Sequence, residues 1–130
     1  MALVEAARAV RARAYAPYSG YFVAAALRAD DGRIYTGVNV ENSSYPVSQC
    51  AERNALGTAV GEGARRFTAI AIVTELGKDG RPGTPCGACR QALSELGADL
   101  EVILAGPEGP PLMHTRLTDL LPLAFSGESL

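Results

Sequence analysis

Two short, almost entirely apolar stretches do most to constrain the fold of this 130-residue chain. Residues 67–74 read FTAIAIVT and residues 100–105 read LEVILA. Apolar runs of this length without polar alternation are typical of strands that are covered on both faces. Residues 87–96, which lie between them, carry apolar side chains at helical spacing and are followed by a glycine, as many helices are. This order of strand, helix and strand predicts an α/β domain.

The rest of the chain completes the same pattern. Three further segments have helical periodicity: residues 2–14, 49–62 and 117–121. Residues 21–27 and 33–40 are typical of the two strands of a hairpin, because an Asp-Gly turn separates them. We therefore expect a single domain over residues 1–130, built as a three-layer α/β/α sandwich with a mixed central sheet of about five strands.

Composition and charge argue against several classes of protein. With 48% hydrophobic residues, the chain is too apolar to be disordered. A formal net charge of −2 argues against binding nucleic acid by neutralising its phosphates. No apolar stretch approaches the roughly 18 residues that span a bilayer, and charged side chains near the N-terminus interrupt the apolar segment that a signal peptide needs. We therefore predict a cytoplasmic protein with no nucleic-acid partner and no membrane partner.

The chain has three cysteines, Cys50, Cys86 and Cys89, and an odd number cannot all pair within one chain. Cys86 and Cys89 are three residues apart at the start of a predicted helix, so their sulfur atoms face the same way. Cys50 begins another predicted helix, and helix N-termini favour the thiolate, which is the form that binds metal. Three protein ligands leave one tetrahedral position of Zn²⁺ open for water, which is typical of a catalytic zinc. We predict one Zn²⁺ per subunit.

Charged residues near the cysteines have predicted roles of their own. Glu52 follows Cys50 by two residues, so its carboxylate points away from the thiolate and is available to move protons between water and a substrate. Arg53 and Arg90 lie close to the cysteines in sequence, and we expect them to offset the negative charge by their own charge and by hydrogen bonds to sulfur.

Two other interpretations of the cysteines remain open. A Cys-x-x-Cys motif can be a redox pair. It can also be half of a structural zinc site, for which His114, the one histidine of the chain, would be the fourth ligand, although it lies far from both motifs. Single histidines near a core are commonly just hydrogen-bonded, and that is how we interpret His114.

The two cysteine motifs together resemble the signature of zinc-dependent deaminases, in its version with three cysteines. Over nearly the whole chain, the sequence is most similar to the small homotetrameric cytidine deaminases. The segments that carry this resemblance, in chain order, are YAPYS at residues 15–19, NVEN at 39–42, YP at 45–46, CAER at 50–53, PCGACRQ at 85–91 and LLPLAFS at 120–126.

The resemblance implies the hydrolytic deamination of cytidine and 2′-deoxycytidine, with Cys50, Cys86 and Cys89 as the zinc ligands. Glu52 would take a proton from the zinc-bound water and deliver protons to N3 of the base and then to the departing amine. The products would be uridine or 2′-deoxyuridine and ammonia, a reaction of pyrimidine salvage.

The resemblance also implies how the nucleoside is held. Asn39 and Glu41 would hydrogen-bond the ribose hydroxyls, and the backbone of Ala51 would contact the base carbonyl. Tyr45 and Phe125 would reach the pocket from neighbouring subunits, so that the protein would be a homotetramer with shared active sites. Whether ribose or deoxyribose is preferred stays open.

The chain departs from the usual family pattern at the first predicted strand. Tyr21 stands at the position that would stack on the pyrimidine, where phenylalanine is usual, and Phe22 follows it, so either ring could face the base. Ala24 stands where glycine is usual.

The sequence leaves three alternative functions. A blasticidin-S-type deaminase shares the cysteine motifs, although NVEN at residues 39–42 favours the simple nucleoside. A non-catalytic zinc-binding module would bind the metal and not need Glu52. A deaminase that acts on polynucleotides is disfavoured by the negative charge.

Overall fold

The computed structural model describes residues 1–130, and a five-stranded sheet forms the centre of the molecule. The strands are β1 (Ala24–Ala29), β2 (Ile34–Val38), β3 (Phe67–Val73), β4 (Glu101–Ala105) and β5 (Met113–Arg116). They lie in the order β2-β1-β3-β4-β5. Strands β3 and β4 are parallel and every other neighbouring pair is antiparallel, so the predicted mixed sheet is confirmed.

Four α-helices accompany the sheet: α1 (Ala2–Arg11), α2 (Ala51–Gly61), α3 (Gly87–Ser94) and α4 (Leu117–Leu120). The helix α3 lies between β3 and β4 in the chain, as the parallel pairing of these two strands requires. None of the helices combines the length and the apolar character needed to cross a membrane.

Side chains that alternate along the strands divide the core into two layers. One layer packs against α2, α3 and α4 and contains the larger side chains, among them Leu27, Ile70, Ile72, Val102 and Leu104. The other packs against α1 and consists mostly of small residues of β1, β3 and β4: Ala24, Ala26, Ala69, Ala71, Val73, Ile103 and Ala105. Because successive side chains point to opposite faces of a sheet, this alternation gives the predicted three-layer α/β/α arrangement.

The element boundaries differ from the predicted ones at a few places. The first helix ends at Arg11 rather than at residue 14, because a turn begins at residue 12. Strand β1 starts at Ala24 rather than at residue 21, because the residues before it leave the sheet and line a cavity. None of the predicted strands covers β5, whose four residues are mostly exposed and which is defined by its pairing with β4.

A close contact sets the position of α2 on the sheet. A Cβ atom at Gly37 of β2 would lie 2.5 Å from the carbonyl oxygen of Ala51 and 2.9 Å from the Cα of Ala55. The helix backbone therefore rests directly on the strand, with no side chain between them. Because Cys50 immediately precedes this helix, the contact also fixes where Cys50 lies.

Candidate metal centre and active site

The three cysteines all lie at the starts of two helices. Cys50 is the N-cap residue of α2, Cys86 is the N-cap residue of α3, and Cys89 lies on the first turn of α3. The first backbone N–H groups of a helix have no partner within it, and the helix dipole is positive at this end, so both favour negative charge on the sulfur atoms. The sheet brings the two helix starts together, as the motifs predict.

The geometry of the sulfur atoms fits a zinc ion. The three Sγ atoms all lie within 4.8 Å of one another, and the Sγ atoms of Cys50 and Cys86 are 3.9 Å apart. With Zn–S bonds of 2.3 Å, a tetrahedral site needs sulfur atoms about 3.8 Å apart. Cys89 is buried, Cys50 is half-buried and Cys86 is exposed, so one side of the group stays accessible to water or substrate. The predicted metal site of three cysteines is confirmed.

His114 is not part of this group. It lies on β5 opposite Ile103, and its Nε2 atom is 3.5 Å from a carboxylate oxygen of Glu101. The metal-binding group consists of the three cysteines alone, so a structural site completed by this histidine is excluded.

The close sulfur atoms perturb one another's ionisation. A hydrogen bond from Cys89, with further ones from Arg53 and Cys86, lowers the pKa of Cys50 to about 5. The hydrogen bond to Cys50, together with burial, raises the pKa of Cys89 well above its usual value. The three thiols alone therefore favour the thiolate at Cys50 and disfavour it at Cys89. A divalent cation removes this conflict, because it stabilises all three thiolates at once.

The two arginines near the cysteines have different contacts. Nη2 of Arg53 lies 3.8 Å from the Sγ of Cys50, as expected for a residue that offsets thiolate charge. The hydrogen bonds of Arg90 go elsewhere, to the carbonyl oxygens of Pro85 at 2.7 Å and Leu120 at 2.8 Å. The expectation that Arg90 bonds to sulfur is therefore wrong. Its side chain extends from α3 across the loop before Cys86, so it joins that loop to the C-terminal segment.

A cavity of about 280 Å³ opens next to the cysteines. Residues from five parts of the chain line it: Tyr21, Val23, Asn39, Glu41, Ser48, Gln49, Cys50, Ala51, Glu52, Ile72, Thr74, Gly83, Thr84 and Cys86. It lies where the end of β3 meets the start of β1, beside the N-terminus of α2. Most of the residues predicted to bind metal or substrate therefore share one concave site.

Glu52 is a buried carboxylate in this cavity. Only 5% of the residue is exposed, and burial raises the pKa of its carboxyl above the usual value. A carboxyl group whose ionised and neutral forms are closer in free energy is suited to receiving and returning a proton. Ala51 precedes it at the first position of α2, where the backbone N–H has no acceptor within the helix.

Asn39 and Glu41 follow β2 and line the same cavity. The amide of Asn39 accepts a hydrogen bond from the backbone N–H of Val23 and donates one to the carbonyl of Tyr21, at 2.9 Å and 2.8 Å. It therefore also holds the segment before β1 against the end of β2.

The carboxylate of Glu41 is oriented by the turn at residues 15–19. It accepts hydrogen bonds from the backbone N–H groups of Tyr18 and Ser19, at 3.0 Å and 3.1 Å, and from the hydroxyl of Ser19. These contacts, with the Ser19 hydroxyl foremost, lower the pKa of Glu41. Ser19 was not among the predicted site residues, although the YAPYS segment that contains it carries part of the family resemblance.

The aromatic residues occupy three different environments. Tyr21 lines the cavity and Phe22 does not, so Tyr21 is the ring available to a bound base. Tyr45 is 71% exposed and contacts Tyr18 edge to face in a shallow neighbouring depression. Phe125 is also exposed and lies in the C-terminal segment, outside this cavity of its own chain.

Several lining residues were not predicted as site residues, and Thr74 and Gly83 are the two that contact each other. The hydroxyl of Thr74 accepts a hydrogen bond from the N–H of Gly83 at 2.6 Å, so the end of β3 holds the loop that leads to Cys86. Thr74 is the one polar residue that ends an apolar strand, which is the signal that could have found it.

Known proteins resemble this chain over nearly its whole length. Residues 1–105 match the family model described as the cytidine and deoxycytidylate deaminase zinc-binding region. The cytidine deaminase of Sporosarcina psychrophila is 44% identical over 129 residues, which are 98% of this chain and 92% of that protein.

Solved structures agree with the sequence comparison. A crystal structure of the cytidine deaminase from Burkholderia pseudomallei has a TM-score of 0.87 at 50% identity and covers 95% of this chain and 97% of that one. The cytidine deaminase from Mycobacterium tuberculosis has a TM-score of 0.80 at 41% identity, with 95% and 94% of the two chains covered.

Proposed function

The chain belongs to the zinc-dependent cytidine and deoxycytidylate deaminase family, and from this we propose that it converts cytidine and 2′-deoxycytidine to uridine and 2′-deoxyuridine with release of ammonia. The observation that carries the proposal is a single cavity lined by two of the three cysteines, by the buried Glu52 and by the polar pair Asn39 and Glu41. Metal, proton carrier and sugar-binding groups are thus within reach of one nucleoside.

Cys50, Cys86 and Cys89 would hold the zinc. When bound, the metal supplies the Lewis acid that makes water acidic enough to attack C4 of cytosine near neutral pH. Arg53 donates to the sulfur of Cys50 and so offsets part of the excess negative charge of three thiolates.

Glu52 moves the protons. Its carboxylate takes a proton from the attacking water and gives it to N3 of the base, so that C4 becomes tetrahedral as the C4–O bond forms. It then transfers the proton of the new hydroxyl group to the amino group, the C4–N bond breaks, and ammonia leaves. The product keeps the proton on N3 and gains the C4 carbonyl. Burial favours this role, because it brings the two protonation states of the carboxyl closer in free energy.

The remaining cavity residues orient the nucleoside. The backbone N–H of Ala51, at the first position of α2, donates to the carbonyl oxygen of the base. Asn39 and Glu41 bind the ribose hydroxyls, and Tyr21 packs on the pyrimidine.

We further propose that the protein is a homotetramer whose subunits complete one another's sites through Tyr45 and Phe125. Both side chains are largely exposed on the isolated subunit. Leu123, near Phe125, is fully exposed and has a φ of 54°, a conformation that costs a leucine energy unless surrounding contacts select it. A second subunit against this segment would supply such contacts.

The reduced cysteines and the free nucleoside substrate suit a single-domain enzyme of pyrimidine salvage in the cytoplasm.

A spectrophotometric assay tests the proposed function. The purified, zinc-loaded protein is expected to convert cytidine and 2′-deoxycytidine to products that co-migrate with uridine and 2′-deoxyuridine, with ammonia in equal amount. Zinc-loaded protein that forms no uridine would overturn the proposal. Blasticidin S is offered in competition, and turnover of blasticidin S in preference to cytidine would reassign the substrate. Mass measurement under native conditions tests the tetramer, since an active monomer contradicts the roles of Tyr45 and Phe125.

A further inference from the structure

Beyond the general reaction, we propose that Tyr21, whose ring packs against the base, also closes the C5 side of the pocket with its hydroxyl group, which is seated beside Gly83, and that this contact makes the enzyme select against cytosines with a substituent at C5. This inference rests on the proposed function, because it uses the orientation of a cytidine in the cavity. It concerns two residues of this chain whose contact nothing in the sequence motifs indicates.

The hydroxyl group of Tyr21 lies close to Gly83. A Cβ atom built on Gly83 would lie only 2.5 Å from the hydroxyl oxygen of Tyr21, so this hydroxyl occupies the space that a side chain at position 83 would need. The same Cβ would lie 3.2 Å from the methyl group and 3.3 Å from the hydroxyl of Thr74. The three residues therefore fill one small region at the cavity margin.

This region is held in place. The N–H of Gly83 donates to the hydroxyl of Thr74 at 2.6 Å, and Thr74 is only 3% exposed at the end of β3. On the other side, the amide of Asn39 donates to the carbonyl of Tyr21 at 2.8 Å. The phenol of Tyr21 thus extends from an anchored backbone to an anchored loop.

The order of the residues around the cavity wall matches the order of the atoms along one edge of cytosine. From the cysteine group, the wall of the cavity passes back along the chain from Cys86 through Thr84 to Gly83. The hydroxyl of Tyr21 lies beside Gly83, and the backbone carbonyl of Tyr21 accepts a hydrogen bond from Asn39. The edge of a cytosine runs in the same order from C4 through C5 and C6 to N1, which carries the sugar. With C4 at the metal and the sugar at Asn39, the C5 edge faces the contact between Gly83 and Tyr21.

The opposite edge of the base supports the same orientation. In the proposed binding mode its carbonyl and N3 atoms are directed to Ala51 and Glu52, which are adjacent at the start of α2. The C5–C6 edge therefore faces away from α2, toward the wall that Tyr21 completes. A methyl group on C5 competes for space with that wall, and one methyl group changes discrimination in an enclosed pocket by about tenfold or more.

The experiment compares zinc-loaded wild-type protein with Tyr21→Phe, with cytidine and 5-methylcytidine as substrates. The ratio of kcat/KM for 5-methylcytidine to that for cytidine is expected to rise about tenfold in Tyr21→Phe, because the ring stays and the hydroxyl leaves. The affinities for the two products, uridine and 5-methyluridine, measured by calorimetry, should change in the same direction. Tyr35→Phe, which removes a hydroxyl on β2 outside this cavity, should leave the ratio unchanged.

A second substitution, at Gly83, tests whether the change in the ratio comes from this contact or from a general disturbance of the site. Gly83→Ala alone should lower the ratio below that of the wild type, because its Cβ displaces the Tyr21 hydroxyl into the cavity. In the double variant, Tyr21→Phe with Gly83→Ala, the new methyl group fills the vacated space, and the ratio should return to within about threefold of the wild type.

Each outcome supports or overturns the inference. An unchanged ratio in Tyr21→Phe overturns it, and so does a double variant that keeps the raised ratio of Tyr21→Phe. Wild-type protein that does not deaminate cytidine at all refutes the proposed function instead, so the two failures are distinguishable. The zinc content and thermal unfolding temperature of every variant show that the folded metal-loaded protein is being compared.

Discussion

The Nη2 atom of Arg53 lies 3.8 Å from the Sγ atom of Cys50, within the first turn of α2. Three thiolates on one Zn²⁺ leave a net charge of −1, which makes bound water less acidic than it is on a neutral set of ligands. A guanidinium beside one sulfur would offset part of that charge without itself being a ligand of the metal. Arg53, three residues after Cys50 in the sequence, is therefore placed to affect the acidity of water at the site.

Replacing Arg53 by glutamine should weaken zinc binding. The substitution removes the positive charge next to the Cys50 thiolate, and loss of a residue that supports a metal ligand typically lowers metal affinity about 10–100-fold. Competition with a chromogenic chelator measures the change. Arg65→Gln is the matched control, since the guanidinium of Arg65 bonds only to the backbone carbonyls of Val60 and Ala64. Equal zinc affinity in the two variants would contradict the role given to Arg53.

Replacing Glu52 by glutamine should remove turnover and keep the metal. The amide cannot carry protons between water, N3 and the amino group, so kcat should fall by a factor of about 100–10,000 or more. Zinc content should stay at one ion per chain, because Glu52 is not among the three residues of the metal-binding group. Glu62→Gln, an exposed change just after α2, is the control. Full turnover in Glu52→Gln would refute Glu52 as the proton carrier.

Adding a methyl group at Gly37 should destabilise the fold. Its Cβ would lie 2.5 Å from the carbonyl oxygen of Ala51, and two packed backbone segments cannot move apart without opening the core. We expect a loss of about 2–3 kcal/mol in the free energy of unfolding, with weaker zinc binding because α2 carries Cys50 at its start.

The matched control is Gly57→Ala in α2, the helix that packs on Gly37, because an added Cβ at position 57 meets nothing within 4 Å. That change should raise the free energy of unfolding by about 0.5–1 kcal/mol, because alanine favours a helix more than glycine does. Urea unfolding of both variants measures the difference, and a tolerated Gly37→Ala would contradict the close packing.

Replacing Arg90 by lysine should loosen the loop that carries Cys86. The guanidinium donates to the carbonyls of Pro85 and Leu120 from separate nitrogen atoms, and a single ammonium group cannot reach both. We expect a loss of about 1–3 kcal/mol in stability and faster release of zinc to a chelator.

Arg33→Lys provides the comparison for Arg90, since Arg33 is exposed on the hairpin and has a long contact with Asp31 at 3.7 Å. This control should change stability by less than about 0.5 kcal/mol. Equal unfolding free energies and equal rates of zinc release in the two variants would show that the Arg90 contacts do not hold the loop.

The accuracy of the sequence predictions follows the range of the interactions that produce each feature. The strand at residues 67–74 and the helix start at Cys86 are local patterns of burial and capping, and both are confirmed within a residue or two. Strand β5 is short and exposed, and its hydrogen bonds to β4 define it, so none of the predicted strands covers it. Arg90 lies next to Cys89 in sequence but extends across the loop to Leu120, which adjacency along the chain does not reveal.

The sequence by itself determined which residues this protein has for its proposed chemistry, three cysteines at two helix starts and a glutamate two residues after the first of them, and the apolar strands that are covered on both faces. These follow from residue type and spacing over a few positions, where local geometry is nearly invariant. Only the tertiary structure decided that Tyr21 rather than Phe22 faces the cavity, that its hydroxyl fills the space beside Gly83, and that Ser19 orients Glu41. These are contacts between segments far apart in the chain, and they depend on the pairing of β1 with β3 and on how the loops close over the ends of those strands.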